Sequence, residues 1–295
     1  MHNKRKIEQE IEVVLTLKFL AEAYEEISIS RMQLVRGKVL STREYIEKLS
    51  EVFSDVKSSY RKELEALMEK GKKIEGGFSF STLNKNGREV SIFVAANEMF
   101  YGGLIKKIFS LFMQNVSSNN SDIIVVGKVG KKLMDESSVK KQYKYVEVSD
   151  RNMSDDQLKE LIKATIEYQT VNVFYGQFQN MRNQIPVKNN ISGDLKDVNT
   201  ENPDKRVSYY FEPSLERVFA IFNNQIFSSF LKQAMSEAEL ARLASRVWAM
   251  EDALGNISVT HKRLKQDKIR AIKLSENSKQ IQRVSGFLIW GQLGK

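Results

Sequence analysis

Apolar residues recur at alternating intervals of three and four along the C-terminal part of the chain. The predicted seam consists of Leu240, Leu243, Val247, Met250, Leu254, Ile257, His261 and Leu264. This spacing places one apolar stripe along a helix and is typical of a coiled coil. We predict a helix from about Pro213 to about Ser285, which at roughly 70 residues and about 1.5 Å per residue is about 105 Å long. Such a helix must project from the globular part as a rod.

The N-terminal part of the chain has the same character. Gly37 is the only glycine before Gly71, and the three prolines all fall between Pro186 and Pro213, so nothing breaks a long first helix. Its predicted apolar stripe contains Ile7, Ile11, Val14, Leu17, Ala21, Tyr24 and Ile27, and continues through Leu34, Tyr45, Leu49, Val52 and Val56. Two such stripes can bury each other if the segment between them brings the chain ends together. The predicted rod is therefore antiparallel and intramolecular.

The middle of the chain alternates strands with helices. We predict strands at 90–96, 123–126, 143–148 and 171–178, a possible fifth at 184–191, and helices at 104–116 and 154–168. Ser154 and Gln157 form a capping box at the start of the second of these helices. Alternating strands and helices favour an open, mainly parallel, doubly wound sheet of Rossmann-like form.

The predicted organisation is thus a mixed one, an α/β sheet combined with a long antiparallel coiled coil. The first long helix covers residues 1–70 and the central α/β domain covers 71–191. A polar linker at 192–208 precedes the second long helix at 209–287, and 288–295 form a tail.

The composition narrows the class of protein only slightly. The 295 residues are 41% hydrophobic and 28% charged, as in ordinary soluble proteins, and carry a formal charge of +9. That charge suits nucleic acid, anionic lipid or an acidic protein equally well. The absence of cysteine fits a reducing cytosol. The basic start is followed by Glu8 and Glu10, so we expect no signal peptide. No stretch approaches the ~18 apolar residues of a membrane span, so we expect none.

Candidate catalytic chemistry is weak throughout the sequence. The run 127–132 follows a strand and resembles a phosphate-binding loop, but it lacks the required glycine spacing and the Ser or Thr after the lysine. We therefore interpret it as a turn with solvated lysines. His2 lies at the terminus and His261 lies on the helical seam, so neither has neighbours for a metal or a nucleophile. We predict no catalytic residue, no cofactor and no metal.

Nucleic-acid binding is also disfavoured. The basic clusters at 131–132, 140–141 and 263–270 are interleaved with acidic residues, not with aromatic stacking positions.

Motifs at both ends resemble the gamma subunit of F-type ATP synthases. The segment 209–214, Tyr-Tyr-Phe-Glu-Pro-Ser, matches that family's Tyr-x-x-Glu-Pro-Ser/Asp, and 244–250, Ala-Ser-Arg-Val-Trp-Ala-Met, is similar to its Ala-Ser-Arg-Met-x-Ala-Met. Asn256 and the segment 284–286, Val-Ser-Gly, also align with the family's pattern without a gap. Near the start, the Ile7, Ile11, Val14 pattern and 43–45, Arg-Glu-Tyr, resemble the family's Ile-x-x-x-Ile-x-x-Val and Arg-Pro-Tyr. The resemblance covers nearly the whole chain.

The chain also departs from the family pattern. The turn Ser-Asp-Arg-Gly-Leu-Cys-Gly-Gly becomes 96–103, which keeps only the final Gly102-Gly103. Ile272-Lys273 stand where the family has an Arg-Gln pair, and Ala23-Tyr24 replace Ala-Met. The Lys- and Asn-rich composition suits an AT-rich genome of the kind found in wall-less bacteria, so a gamma-like shaft of a specialised F-type-like ATPase is an alternative. A free-standing coiled-coil adaptor or a nucleic-acid-binding protein are less favoured.

The resemblance implies a non-catalytic rotary shaft that couples rotation to conformational change in the catalytic β subunits during ATP synthesis or hydrolysis. It implies a ring of three α and three β subunits as partners, with an ε subunit and a c-ring below. It also implies a cytoplasmic position, peripheral on the inner face of the plasma membrane, with contact to the membrane only through the complex. The residues predicted to contact the ring are Arg31, Met32, Arg36, Arg242, Arg246, Trp248, Met250, Ile272 and Lys273.

Overall fold

Two very long helices flank a small α/β sheet in this computed structural model. The structure describes residues 2–69, 87–137, 141–150, 153–191 and 215–293, with side chains described over 4–53, 87–137, 141–150, 153–191, 221 and 224–285. The predicted linker 192–208, the motif 209–214 and the side chain of Val56 lie outside this description. By contact density the chain forms two compact units, residues 30–245 and residues 1–29 with 246–295. We call these the sheet unit and the helical unit.

The order of elements follows the predicted alternation. In chain order they are α1 (His2–Glu69), β1 (Glu89–Val94), α2 (Leu104–Ser118), β2 (Asp122–Val126), α3 (Lys128–Asp135), β3 (Lys144–Val146), α4 (Asp155–Thr165), β4 (Thr170–Phe178), β5 (Gln184–Asn190) and α5 (Leu215–Leu293). The predicted capping box is present, since Ser154 accepts from the N–H of Gln157 and the Gln157 side chain accepts in return. The predicted tail is different, because α5 continues through 288–293 where no proline interrupts it.

The sheet has the strand order β3-β2-β1-β4-β5. The first four strands of this order pair in parallel and β5 pairs antiparallel with β4. Helices cover both faces. One core joins Ile92, Val126 and Val173 to α4 and α5, and the other joins Phe93, Val125 and Phe174 to α2 and α3. The predicted doubly wound α/β sheet combined with long helices is confirmed.

The long helices pair antiparallel in each unit. In the sheet unit, Val35 and Val39 of α1 pack against Leu240 and Leu243 of α5. In the helical unit, Lys268 of α5 forms an ion pair of 2.9 Å with Glu8 of α1. Tyr45 meets Gln225 in the sheet unit and Tyr24 meets Arg246 in the helical unit. Within each unit, higher-numbered residues of α1 therefore meet lower-numbered residues of α5, so the two helices are antiparallel there.

Candidate functional site: the paired helices and their attachment to the sheet

The buried stripe of α1 agrees with the predicted one at Ala21 and differs from it at most later positions. Buried positions occur at Ala21, Ser28, Val35, Val39, Ile46 and Phe53, which keep heptad spacing. The predicted Leu17, Tyr24, Ile27, Leu34, Tyr45 and Val52 are instead 38 to 76% exposed. These large residues also recur at helical intervals, so spacing alone could not show which positions become buried. Small residues at 21 and 28 allow a helix to approach closely, which favours burial at these positions.

The seam of α5 is buried first and then partly open. Leu240, Leu243, Val247 and Met250 are buried, whereas Leu254, Ile257, His261 and Leu264 are half-buried. In the helical unit, the guanidinium of Arg246 lies 5.7 Å from the ring centre of Tyr24, a distance at which a cation and an aromatic face attract. His261 is thus one of the half-buried positions of the seam.

The predicted partner contacts divide by burial. Arg242, Arg246 and Met250 are buried within the chain. Arg31, Met32 and Ile272 are half-buried, while Arg36, Trp248 and Lys273 are exposed. Only the members that keep exposed surface can offer much area to another subunit, and they remain predicted contacts.

Arg242, one of the predicted contacts, binds the edge of the sheet within the chain. It is 6% exposed, its Nη1 donates to the carbonyl of Ala95 at 2.7 Å, and its Nη2 lies 3.9 Å from Oδ1 of Asp150. Ala95 follows β1 and Asp150 follows β3, so Arg242 connects α5 to the edge of the sheet, and its contact with a ring of partners stays a prediction. Sequence spacing placed it beside the seam but could not show which neighbour it reaches.

The carboxyl edge of the parallel strands is closed by the chain itself. Asn97 donates from its backbone N–H to Asp150 at 2.7 Å and from its side chain to the carbonyl of Val148 at 2.6 Å, and it accepts from the N–H of Lys128 at 2.9 Å. In doubly wound sheets this edge holds ligands at the switch point, here beside β1. Arg242 of α5 lies at that position, which leaves it filled by the protein.

The turn after β1 is held in a strained conformation. Phe100 has φ of 70°, a region that bulky residues rarely adopt. Asp150 accepts from the N–H of Glu98 at 2.9 Å, and the carbonyl of Tyr101 accepts from Ser245 at 2.7 Å, which fixes both sides of the turn. Met99 and Phe100 are 57% and 59% exposed at its tip. Residues 98–101, which include this apolar tip, replace the Arg-Gly-Leu-Cys of the family's turn.

The lysine run after β2 is a helix, so its interpretation as a turn was wrong. Lys128 begins α3 and forms an ion pair with Glu147 at 3.1 Å, and Lys131 lies over the ring of Tyr145. Gly130 allows the helix to pack tightly, because an added Cβ there would lie 2.7 Å from that of Ala95. Gly127 just before this helix and Gly130 within its eight residues hid it from sequence patterns. These partners also weaken the case for a phosphate site.

A buried carboxylate joins both long helices to the sheet. Glu237 of α5 is 1% exposed. Its Oε1 accepts from Nε of Arg43 on α1 at 2.9 Å and from Gln233 at 3.0 Å, and its Oε2 accepts from the hydroxyl of Tyr175 on β4 at 3.2 Å. Burial, followed by the nearby charge of Glu237, raises the pKa of Tyr175 well above its usual range. No sequence motif pointed to this cluster.

Within the described part of the chain, no three acidic or histidine side chains gather as a group able to hold a metal ion. Over the same residues, no helix is both long enough and apolar enough to cross a membrane.

Comparisons with known proteins agree with this architecture. The ATP synthase family model matches residues 3–271. The chain belongs to the family of ATP synthase gamma chains. The gamma chain of Desulforamulus reducens is 24% identical over 270 residues, covering 87% of this chain and 88% of its own length. That of Ruthia magnifica subsp. Calyptogena magnifica is 22% identical over 302 residues, covering 96% and 97%.

Solved structures show the same fold at low identity. A chain from the Euglena gracilis mitochondrial ATP synthase, in a structure of OSCP, F1 and c-ring, has a TM-score of 0.55 at 14% identity, with 90% of this chain and 96% of that chain covered. A chain from the central stalk and c-ring structure of the Tetrahymena thermophila mitochondrial enzyme has a TM-score of 0.54 at 16% identity, with 79% and 99% covered. The gamma-chain fold therefore extends over nearly the whole of this sequence.

Proposed function

We propose that the chain is the central rotary shaft of an F-type or F-type-like ATPase, a non-catalytic subunit that turns inside a ring of three α and three β subunits. Membership of the gamma-chain family supports the shaft role. The observation that carries the proposal is the surface of the helical unit. Val13, Leu17, Leu20, Tyr24 and Ile27 of α1 repeat at intervals of four and three and are all substantially exposed.

An exposed apolar stripe of this length on a soluble helix calls for a protein surface to cover it. The α5 segment of the same unit carries different exposed residues, among them Val259, Leu274 and Ile281. Three identical β subunits around such a pair would each meet a different face, so each would be biased toward a different conformation and nucleotide affinity. Turning the pair would move those biases from one β subunit to the next, which couples rotation to synthesis or hydrolysis.

The finer assignments belong to the same proposal. The Tetrahymena structure contains the central stalk and c-ring, and the Euglena structure contains OSCP, F1 and c-ring. These structures support a c-ring, with an ε subunit, as partners of this chain. The position would then be peripheral, on the inner face of the plasma membrane. The predicted contacts that keep exposed surface, Arg36, Trp248 and Lys273 with the half-buried Arg31, Met32 and Ile272, are the proposed ring contacts.

A specialised motor is the second candidate, and the turn at 97–101 favours it. Met99 and Phe100 present an apolar tip at the edge of the sheet. This surface is unlike the family's turn, so it suits a partner below the shaft that differs from an ordinary ε subunit or c-ring.

The experiment is co-expression with the α- and β-type ATPase subunits of the same genome, followed by affinity purification and an ATPase assay. We expect one complex whose ATPase activity depends on this chain. Leu20→Ser with Ile27→Ser removes two half-exposed side chains worth about 2 kcal/mol together, so affinity should fall about thirtyfold. Glu22→Ser, an exposed polar change on the same helix, is the control and should bind normally.

Other results would favour the other classes of protein. A chain that purifies alone with no α or β subunit would be a coiled-coil adaptor. Retention on DNA that falls steeply with salt would indicate a nucleic-acid binder. Equal affinity of the double variant and the control would contradict the proposed covering of the α1 stripe.

A further inference from the structure

Glu237 is the one buried carboxylate in the described part of the chain that bonds to both a long-helix partner and a strand. Its three hydrogen-bond donors come from different elements: Arg43 from α1, Gln233 from α5 and Tyr175 from β4. We call these four residues the Glu237 joint. Arg242 and Ser245 also bond from α5 to residues beside β1, but neither contact includes α1.

The geometry of the joint is sensitive to small movements. Its three donor distances lie between 2.9 and 3.2 Å, and a direct hydrogen bond is lost beyond about 3.5 Å. A shift of α1 or α5 against β4 by less than about 1 Å therefore breaks at least one bond to a desolvated charge. The surrounding contacts of Leu231, Ala234 and Ala238 with the sheet core are apolar and have no such directional requirement.

Stability alone does not account for a charge at this position. Replacing a buried ion pair by apolar groups of similar volume is often neutral or stabilising, because the pair must first be desolvated. Buried polar groups are best attested as devices that fix one register between packed elements. Arg43 keeps 43% of its side chain exposed while that of Glu237 keeps 2%, so the charge is held from α1 by a residue that reaches in from solvent.

We propose that Glu237 is a positioning residue for rotation, which locks α1 and α5 to β4 so that turning force applied to the sheet reaches both helices together. This inference rests on the proposed shaft function. An apolar joint would hold the fold but allow the helices to shift under load. The joint therefore contributes torsional stiffness in addition to any stability.

The test uses the complex assembled with α and β subunits and immobilised by the ring. The chain has no cysteine, so Lys107→Cys on the exposed side of α2 provides a single thiol for a gold particle. The angular variance of the particle in the nucleotide-stalled complex reports stiffness. The main variant is Glu237→Met with Tyr175→Phe, which makes the joint apolar. Lys48→Gln, which removes an exposed ion pair with Glu44 on α1, is the control.

We expect the apolar variant to increase the angular variance at least twofold, with a melting temperature within about 3 °C of the parent protein's and an ATPase rate within twofold. The control should not change the variance. Arg43→Gln, which keeps an amide donor in place of the guanidinium, should also widen the variance. Glu237→Gln, which can still accept from Tyr175, should give a variance between those of the parent and the apolar variant.

Unchanged variance in a folded apolar variant, or in Arg43→Gln if the apolar variant fails to fold, would overturn the joint. Failure of the proposed shaft function would give a different result. If the parent complex does not form, or the particle does not turn on addition of ATP, the shaft function is refuted and the joint with it. Rotation of the parent with unchanged variance in the variants refutes only the joint.

Discussion

Replacing Arg242 by alanine should destabilise the chain far more than its place on a long, partly exposed helix suggests. The side chain is buried, and its guanidinium donates to the carbonyl of Ala95 at 2.7 Å beside Asp150. A hydrogen bond to a charged group contributes about 1.5–3 kcal/mol. Alanine would also leave the Ala95 carbonyl desolvated and Asp150 without its nearest cation. We expect a loss of about 3 kcal/mol in the free energy of unfolding.

Urea denaturation followed by far-ultraviolet circular dichroism measures this loss. Arg263→Ala is the matched control, since Arg263 lies on the same helix with 82% of its side chain exposed and a weak pair with Asp267 at 4.0 Å. It should change stability by less than about 0.5 kcal/mol. If Arg242→Ala costs under 1 kcal/mol, or no more than the control, then Arg242 does not hold the sheet edge.

Three further changes test other parts of the structure. Gly127→Ala should lower the free energy of unfolding by about 3 kcal/mol, because Gly127 has φ of 93° and a Cβ there would lie 2.8 Å from the backbone of Ala96. Gly37 lies in a helix, and an added Cβ there would have nothing within 4 Å. Gly37→Ala should therefore stabilise the chain by about 0.5–1 kcal/mol in the same urea assay. Phe100→Gly relieves a positive φ and should raise the melting temperature, because the free energy of unfolding should increase by up to about 1 kcal/mol. Burial raises the pKa of Glu239, so the ionised form of this side chain destabilises the fold above that pKa. Glu239→Gln should therefore stabilise the chain near pH 7. This gain should vanish as the pH falls below the pKa of glutamate in the unfolded chain, about 4.3. A gain that grows toward acid pH would contradict this sign.

Much of the sheet was predictable because each strand is short, β-branched and bounded by polar or glycine residues. The strand from Asp122 to Val126 and that from Thr170 to Phe178 begin within one residue of the predicted positions. The capping box at Ser154 was also visible, since it depends on two residues at a fixed spacing. Local chemistry decided these elements, so local sequence was sufficient.

The register of α1 was not predictable in the same way. The predicted stripe contains both Leu17 and Ala21, but only Ala21 is buried. Helix pairing buries the smaller of these two residues and leaves the larger one exposed. Which stripe faces α5 depends on the partner helix, and that information lies more than two hundred residues away in the chain.

The candidate site was the least predictable part. Arg242 and Glu237 were ordinary charged residues in a helical pattern, and only the fold brings them to Ala95 and Tyr175. Long-range partners of this kind leave no spacing signal. The family resemblance fixed the architecture but could not show which charged side chains point inward.

The most direct test of the account is rotation of this chain inside its ring. With a gold particle on Lys107→Cys and the α and β subunits fixed to a surface, addition of ATP should produce stepwise rotation in one direction, with three main pauses in each turn. A complex that hydrolyses ATP while the particle stays still, or hydrolysis at the same rate without this chain, would contradict the claim that the paired helices act as the shaft.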